Sequence, residues 1–110
     1  LEFKSYKEFW PFYLSQHSQK KTRFWHFVGT STILLWIILA IILRNGWILL
    51  LAPVVAYGFA WYSHFFIEGN KPATFGHPFW SLRADFHMYW YILTGRIETE
   101  IQRVQSKREN

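Results

Sequence analysis

The sequence predicts an all-α fold: an integral membrane helical bundle in which a two-span transmembrane hairpin carries amphipathic interfacial helices at both ends. Residues 1–110 then form a single membrane domain. Three observations carry this prediction. Phe24–Leu43 and Trp47–Ile67 are apolar runs of 20 and 21 residues, each about 30 Å long as a helix, the thickness of a bilayer core. Charge is excluded from them: Arg44 is the one ionic residue between positions 24 and 67, although the chain carries 12 Lys+Arg and 7 Asp+Glu. Aromatic residues, 22% of the chain, also stand outside the runs, at Phe9-Trp10-Pro11-Phe12-Tyr13 before them and at Phe86, Tyr89, Trp90 and Tyr91 after them. A mean hydropathy of -0.01 conceals this segregation, because the polar ends offset the apolar middle.

Taken in order, residues 4–19 hold Phe9-Trp10-Pro11-Phe12-Tyr13-Leu14 between Lys7-Glu8 and His17. This reads as an interfacial helix floating on the cytoplasmic leaflet with its rings among the headgroups. Residues 22–44 form transmembrane helix 1. The run is too long for a signal peptide, lacks a small-residue cleavage site, and is followed by a second run after Arg44-Asn45-Gly46. Residues 47–67 form transmembrane helix 2. Ala52, Ala56 and Ala60 fall at i, i+4 and i+8 with Gly58 nearby, a stripe that lets the first span approach closely. Pro53 falls in the opening turns, where a missing backbone donor costs least.

Residues 68–79 contain Glu68-Gly69-Asn70-Lys71-Pro72 and Gly76-His77-Pro78, which read as a cytoplasmic loop. An interfacial helix follows over 80–94, with Ser81 as its cap, Gly95 as its stop, and Phe86, Tyr89, Trp90 and Tyr91 along it. It is too short to span. Residues 96–108 place Ile97, Ile101 and Val104 on one face of an amphipathic C-terminal helix.

Five cations precede the first span and six follow the second, so both termini are expected in the cytoplasm. The net charge of +5 speaks for anionic lipid headgroups rather than nucleic acid, since Lys20-Lys21-Thr22-Arg23 adjoins a span. The compactness of the chain favours a bacterial inner membrane. Absence of cysteine excludes disulfide scaffolds, Cys-ligated zinc, Fe–S clusters and thiol nucleophiles. No glycine-rich phosphate loop is present, and the serines beside His17 and His64 point away from them along a helix.

Any chemistry therefore rests on the histidines, and all five fall on one side of the expected membrane. His17 ends the first helix, His26 lies in the first turn of the first span, and His64 lies in the last turn of the second. An antiparallel hairpin brings His26 and His64 to the same depth, and Glu68 follows His64 by four residues, on the same helix face. Two or three imidazoles with one carboxylate and no thiolate suit a non-haem Fe2+ site, although zinc and manganese use similar groups. His77 and His87 are secondary candidates. The plainer readings are imidazoles that bond backbone carbonyls, a Glu68 that pairs with Lys71, and a solvated His77. Two other functions fit the same residues: a bis-His haem protein using His26 and His64, and a non-catalytic module that binds lipid or a partner helix.

Read in order, Phe12-Tyr13-Leu14-Ser15-Gln16-His17, Arg23-Phe24-Trp25-His26-Phe27-Val28-Gly29-Thr30 and His64-Phe65-Phe66-Ile67-Glu68-Gly69-Asn70-Lys71-Pro72-Ala73-Thr74-Phe75 form one pattern. It continues through Pro78, Trp80-Ser81-Leu82, Asp85 and Leu93-Thr94-Gly95-Arg96. The pattern resembles the Mpo1-like family, small membrane proteins related to the fungal endoplasmic-reticulum 2-hydroxy-fatty-acid dioxygenase. This resemblance implies an Fe2+-dependent dioxygenase of fatty-acid α-oxidation, which removes the carboxyl carbon of a 2-hydroxy fatty acid. The matching positions are His17, His26, His64 and Glu68, while His77 and His87 fall outside the motif. On that reading Glu68 is a fourth ligand or a partner of one, and Arg23 and Lys71 are the cations placed to meet the fatty-acyl substrate's carboxylate. The chain departs from the fungal enzyme in being more compact.

Overall fold

The computed structural model describes residues 2–109, which form five α-helices: α1 (Tyr6–Ser15), α2 (Lys20–Ile42), α3 (Leu51–Ser63), α4 (Pro78–Leu93) and α5 (Ile97–Glu109). There is no β-strand among the described residues. Helix α3 is extended at its start by a 3-10 turn, Gly46–Leu50, and at its end by a π turn, His64–Glu68. The two resulting apolar rods, Lys20–Ile42 and Gly46–Glu68, are each 23 residues long and apolar enough to cross a membrane by length and composition.

These rods pack as an antiparallel hairpin. The closest approach is at Gly29, where an added Cβ would stand 3.0 Å from the Ala56 carbonyl oxygen and 3.2 Å from Phe59 Cβ. Trp25 stacks on Phe59 one turn away, with ring centroids 5.6 Å apart. Of the alanine stripe, Ala56 meets this expectation of close approach, while Ala52, Ala56 and Ala60 together line a cavity described below. The outward faces of both rods remain exposed, including Leu34, Ile38, Ile41, Leu50 and Val54.

The buried core lies elsewhere. Phe9, Trp10, Tyr13 and Leu14 of α1 pack with Ala84 and Met88 of α4 and Val104 of α5. Helix α1 starts at Ser5, whose extended backbone and side-chain bond from the Glu8 amide satisfy one of the unpaired first-turn donors. Its apolar residues recur at i, i+1, i+4 and i+5, and this stripe enters protein rather than headgroups. The expectation of a floating α1 is corrected here: its rings have protein partners, because α4 and α5 close over them. Trp10 Nε1 donates to Glu100 Oε2 of α5 at 2.8 Å, which satisfies the indole's polar atom inside this core.

Helix α4 begins earlier than the sequence suggested. His77 occupies the cap position and Pro78 the first turn, where its missing N–H costs nothing and its fixed φ suits a helix. Ser81 is therefore an interior residue and not the cap. Gly95 does end this helix, with φ +73. Helix α4 buries Ser81, Ala84 and Met88, and its opposite face exposes Phe79, Leu82, Phe86, Trp90 and Leu93. It also lies along the first half of α2, where Tyr89 stacks on Phe27 at 4.7 Å and bonds Ser31 Oγ at 3.1 Å.

Candidate metal centre

Three local structures deliver three histidines to one point. His17 sits in the turn after α1, and its Nδ1–H donates to the Tyr13 carbonyl at 2.7 Å, a bond from one turn back. His26 lies in the second turn of α2. His64 opens the π turn, in which the Gly69 amide reaches back five residues to the His64 carbonyl at 2.8 Å. Gly69 has φ +78, a left-handed conformation that favours glycine, and it folds Asn70 back under His64. Asn70 Oδ1 accepts from His64 Nδ1–H at 2.7 Å, while Asn70 Nδ2 donates to the Gln16 carbonyl at 3.1 Å. The amide thus ties the end of the second rod to the turn that carries His17.

All three imidazoles are buried, and their Nε2 atoms form an equilateral triangle of 3.1 Å edge. With Nδ1–H of His17 and His64 committed to a carbonyl and an amide oxygen, the Nε2 atoms of these rings carry lone pairs. His26 Nδ1 faces the Asp85 carboxylate at 3.6 Å, which favours the same tautomer. Three lone pairs converging in a buried site repel one another, and a cation between them removes the conflict. The triangle's centre lies about 1.8 Å from each nitrogen, so an ion at about 2.0–2.1 Å from all three fits with a small displacement from their plane. Burial, with His26 and His64 alongside, holds His17 well below the ordinary imidazole range, so its ring is neutral at pH 7 as a ligand must be.

Asp85 of α4 completes the site's polar frame. Its carboxylate accepts from the Tyr13 hydroxyl, and burial together with this carboxylate pushes the Tyr13 phenol well above its usual range, so the proton stays on tyrosine. His26 and Asp85 also stand at the polar end of an apolar cavity of about 290 Å³ between α2, α3 and α4. Ile33, Ala52, Pro53 and Ala56 are among the residues that line the rest of it, with Tyr57 of α3 and Leu82 of α4. From His26 to Ile33 the cavity follows α2 for about 10 Å, at about 1.5 Å per residue.

The family model described as "2-hydroxy-palmitic acid dioxygenase Mpo1-like" matches residues 3–97. The chain belongs to the Mpo1-like family. The resemblance read from its motifs is borne out, and the match covers every histidine and Glu68. No curated protein and no solved structure matches.

Within this Mpo1-like chain, the other residues singled out from the sequence have different surroundings. The histidine triad is the one candidate cluster for a metal among the described residues, and Glu68 is not part of it. The Glu68 carboxylate instead accepts from Ser18 Oγ, from the Gln19 amide at 3.0 Å and from Thr22 Oγ1 at 2.7 Å. It caps the start of α2 from the end of the second rod, which holds the His17 turn against the hairpin. The four-residue spacing from His64 implied a shared face, and the carboxylate is instead engaged by Ser18, Gln19 and Thr22.

Arg23 is buried and also fastens the frame. Its guanidinium donates to the His17 carbonyl at 2.7 Å, to the Ser18 carbonyl at 2.9 Å and to Glu98 at 2.8 Å. Lys71 is exposed in a separate groove with Phe12, Gln16 and Phe75. His77 stacks on Trp80 beside Phe9, and His87 stacks on Trp10 at 3.7 Å while bonding the Tyr6 hydroxyl at 2.9 Å. Neither joins the triad. A bis-His haem is corrected by the same geometry: His26 and His64 nitrogens only 3.1 Å apart, with His17 against both, leave no slot for a macrocycle. Asp85, Asn70 and Tyr13 received no role from sequence. Asp85 and Tyr13 lay inside the family pattern, and the order Glu68-Gly69-Asn70 was the signal for a tight return beside a histidine.

Proposed function

We propose that this chain is a membrane-embedded, Fe2+-dependent dioxygenase that shortens 2-hydroxy fatty acids by one carbon. One observation carries the reading: three converging imidazole nitrogens, of which His26 also borders an apolar cavity between α4 and a hairpin long enough to cross a bilayer. Family membership supplies the reaction class. Iron on His17, His26 and His64 would supply a Lewis acid for the substrate's carboxylate and 2-hydroxyl and electrons for dioxygen. Zinc would supply the first of these and not the second.

The chain's own residues do the remaining work. Ala52, Ala56, Ile33 and Leu82 receive the acyl chain and exclude water from the reacting carbon. Asp85, Asn70 and the Tyr13 carbonyl hold the three rings in one tautomer, with lone pairs toward the centre. Glu68 and Arg23 lock the His17 turn in place. The 53 Å long axis exceeds the about 30 Å hydrocarbon core, which accommodates α1 and α5 outside the bilayer on the cytoplasmic side. The exposed stripe Phe79, Leu82, Phe86, Trp90 and Leu93 supports a placement of α4 in the inner leaflet.

The test is metal content and product formation in protein purified anaerobically in mild detergent. The expected result is about one iron per chain without a Soret band, and a fatty acid one carbon shorter by mass spectrometry. Protein that takes up no metal when Fe2+ is offered overturns the reading and leaves a lipid-binding module.

A further inference from the structure

One buried polar group at the centre is unused by the fold. Ser81, in the first turns of α4, is 1% exposed, and its Oγ has no hydrogen-bond partner. Three other hydroxyls in or at the end of helices take the carbonyl one turn back, Ser63 Oγ donating to Ala60 at 2.6 Å, Thr32 Oγ1 to Gly29 at 2.6 Å and Thr94 Oγ1 to Trp90 at 2.8 Å, while Thr22 and Ser31 bond Glu68 and Tyr89. Ser81 does neither. The His77 carbonyl accepts from the Ser81 amide at 2.9 Å, and the hydroxyl does not join it there.

Ser81 lines the small space of about 10 Å³ that the triad itself surrounds, together with Tyr13 and Asp85. That volume is on the scale of one water-sized occupant, which the ion itself would be. His26, Ala60 and Asp85 also border the 290 Å³ apolar cavity, so the two spaces adjoin at these residues. One is long and greasy; the other is small and has a hydroxyl with nothing to bond.

We propose that Ser81 Oγ is the hydrogen-bond donor for a one- or two-atom ligand, such as dioxygen, carried by the metal that the triad would hold. This rests on the metal reading above. A hydroxyl kept in a buried site at a cost to stability, where alanine fits the same space, is accounted for by a bond made only when the ligand is present.

The experiment uses nitric oxide as the probe on the full chain, purified in detergent and loaded anaerobically with Fe2+. It compares wild type with Ser81→Ala by electron paramagnetic resonance titration and by the thermal midpoint of the metal-free proteins. The expected result has three parts: equal iron per chain, a dissociation constant for nitric oxide raised about tenfold in the variant, and a metal-free midpoint that is unchanged or higher. Equal nitric oxide affinity with equal iron overturns the Ser81 assignment alone. A lower metal-free midpoint, or failure of Ser81→Ala to fold, makes the hydroxyl structural and overturns it too. Absence of iron from both proteins overturns this assignment together with the metal reading.

Discussion

The α1–α4–α5 cap and the α2–α3 hairpin are built from similar side chains and use them in opposite ways. In the cap, Phe9 is 0% exposed and the rings of Trp10 and Tyr13 are sealed between helices. In the hairpin, Ile41 is 71% exposed and Trp47 is 78% exposed. The cap therefore gains its stability from protein against protein, as a soluble domain does, whereas the hairpin's outer surface needs another apolar medium. The histidine triad lies on the seam. His17 comes from the turn that ends the cap's first helix, and His26 and His64 come from the rods, so an ion bound there joins two units whose stabilities have different origins.

The largest way to break this comparison is to cut the seam. His17→Ala is expected to lower iron retention and product formation to background while leaving the far-ultraviolet helical signal intact; a variant that keeps its iron would remove His17 from the ligand set. Phe9→Ala attacks the cap alone. Deleting a fully buried phenylalanine costs about 3–5 kcal/mol, and hydrogen exchange should rise in α1, α4 and α5 with α2 and α3 still protected. Equal loss of protection everywhere would show one cooperative unit instead.

Asn70→Ala sharpens the comparison from the hairpin side. It removes the partner of His64 Nδ1 and the tie to the Gln16 carbonyl, so metal affinity should fall about 10–100-fold, as read by competition with a chelator. Gly29→Ala tests the rods themselves. Its methyl would press on the Ala56 carbonyl at 3.0 Å, for an expected cost of about 1–3 kcal/mol in detergent unfolding, with the cap's exchange pattern unaltered.

The smallest effect is one of pH. Hydrogen bonds from Arg103 and Trp10 hold Glu100 below its usual carboxylate range despite burial. A depressed folded value means that this stability is present above the unfolded pKa of about 4.3 and is lost as pH falls through the folded value. Glu100→Gln should flatten that acid limb in thermal scans; an unchanged limb would show that α5 docks by its apolar face alone.

The rods were legible because an uncharged run of 20 residues has few alternatives, and two of the site's histidines were legible because an antiparallel hairpin fixes their depth. The cap was harder. An aromatic helix that will be covered by other helices and one that will lie on headgroups carry the same rings at the same spacing, and Phe9 and Trp10 could not say which. Counting four residues from His64 placed Glu68 near that ring, but could not show that Ser18, the Gln19 amide and Thr22 take its carboxylate. Asp85 and Asn70 were visible as letters, but their roles depend on α4 running along α2 and on the left-handed Gly69. The alanine stripe was read as a contact, and it serves as a wall of empty space as much as a contact.

The wide turn at His64–Glu68 gives the protein an unusual kind of fragility. It amounts to one surplus residue in the winding of the second rod, and everything after it is phased to that surplus. Removing a single residue such as Phe66 would leave the rod's greasiness and reach almost unchanged, yet rotate Glu68 and Asn70 by about 100° around the axis. The clasp on Gln19 and Thr22 and the prop under His64 would then miss their targets together. A lesion of one exposed phenylalanine, invisible to hydropathy, would be as disabling as the loss of a histidine.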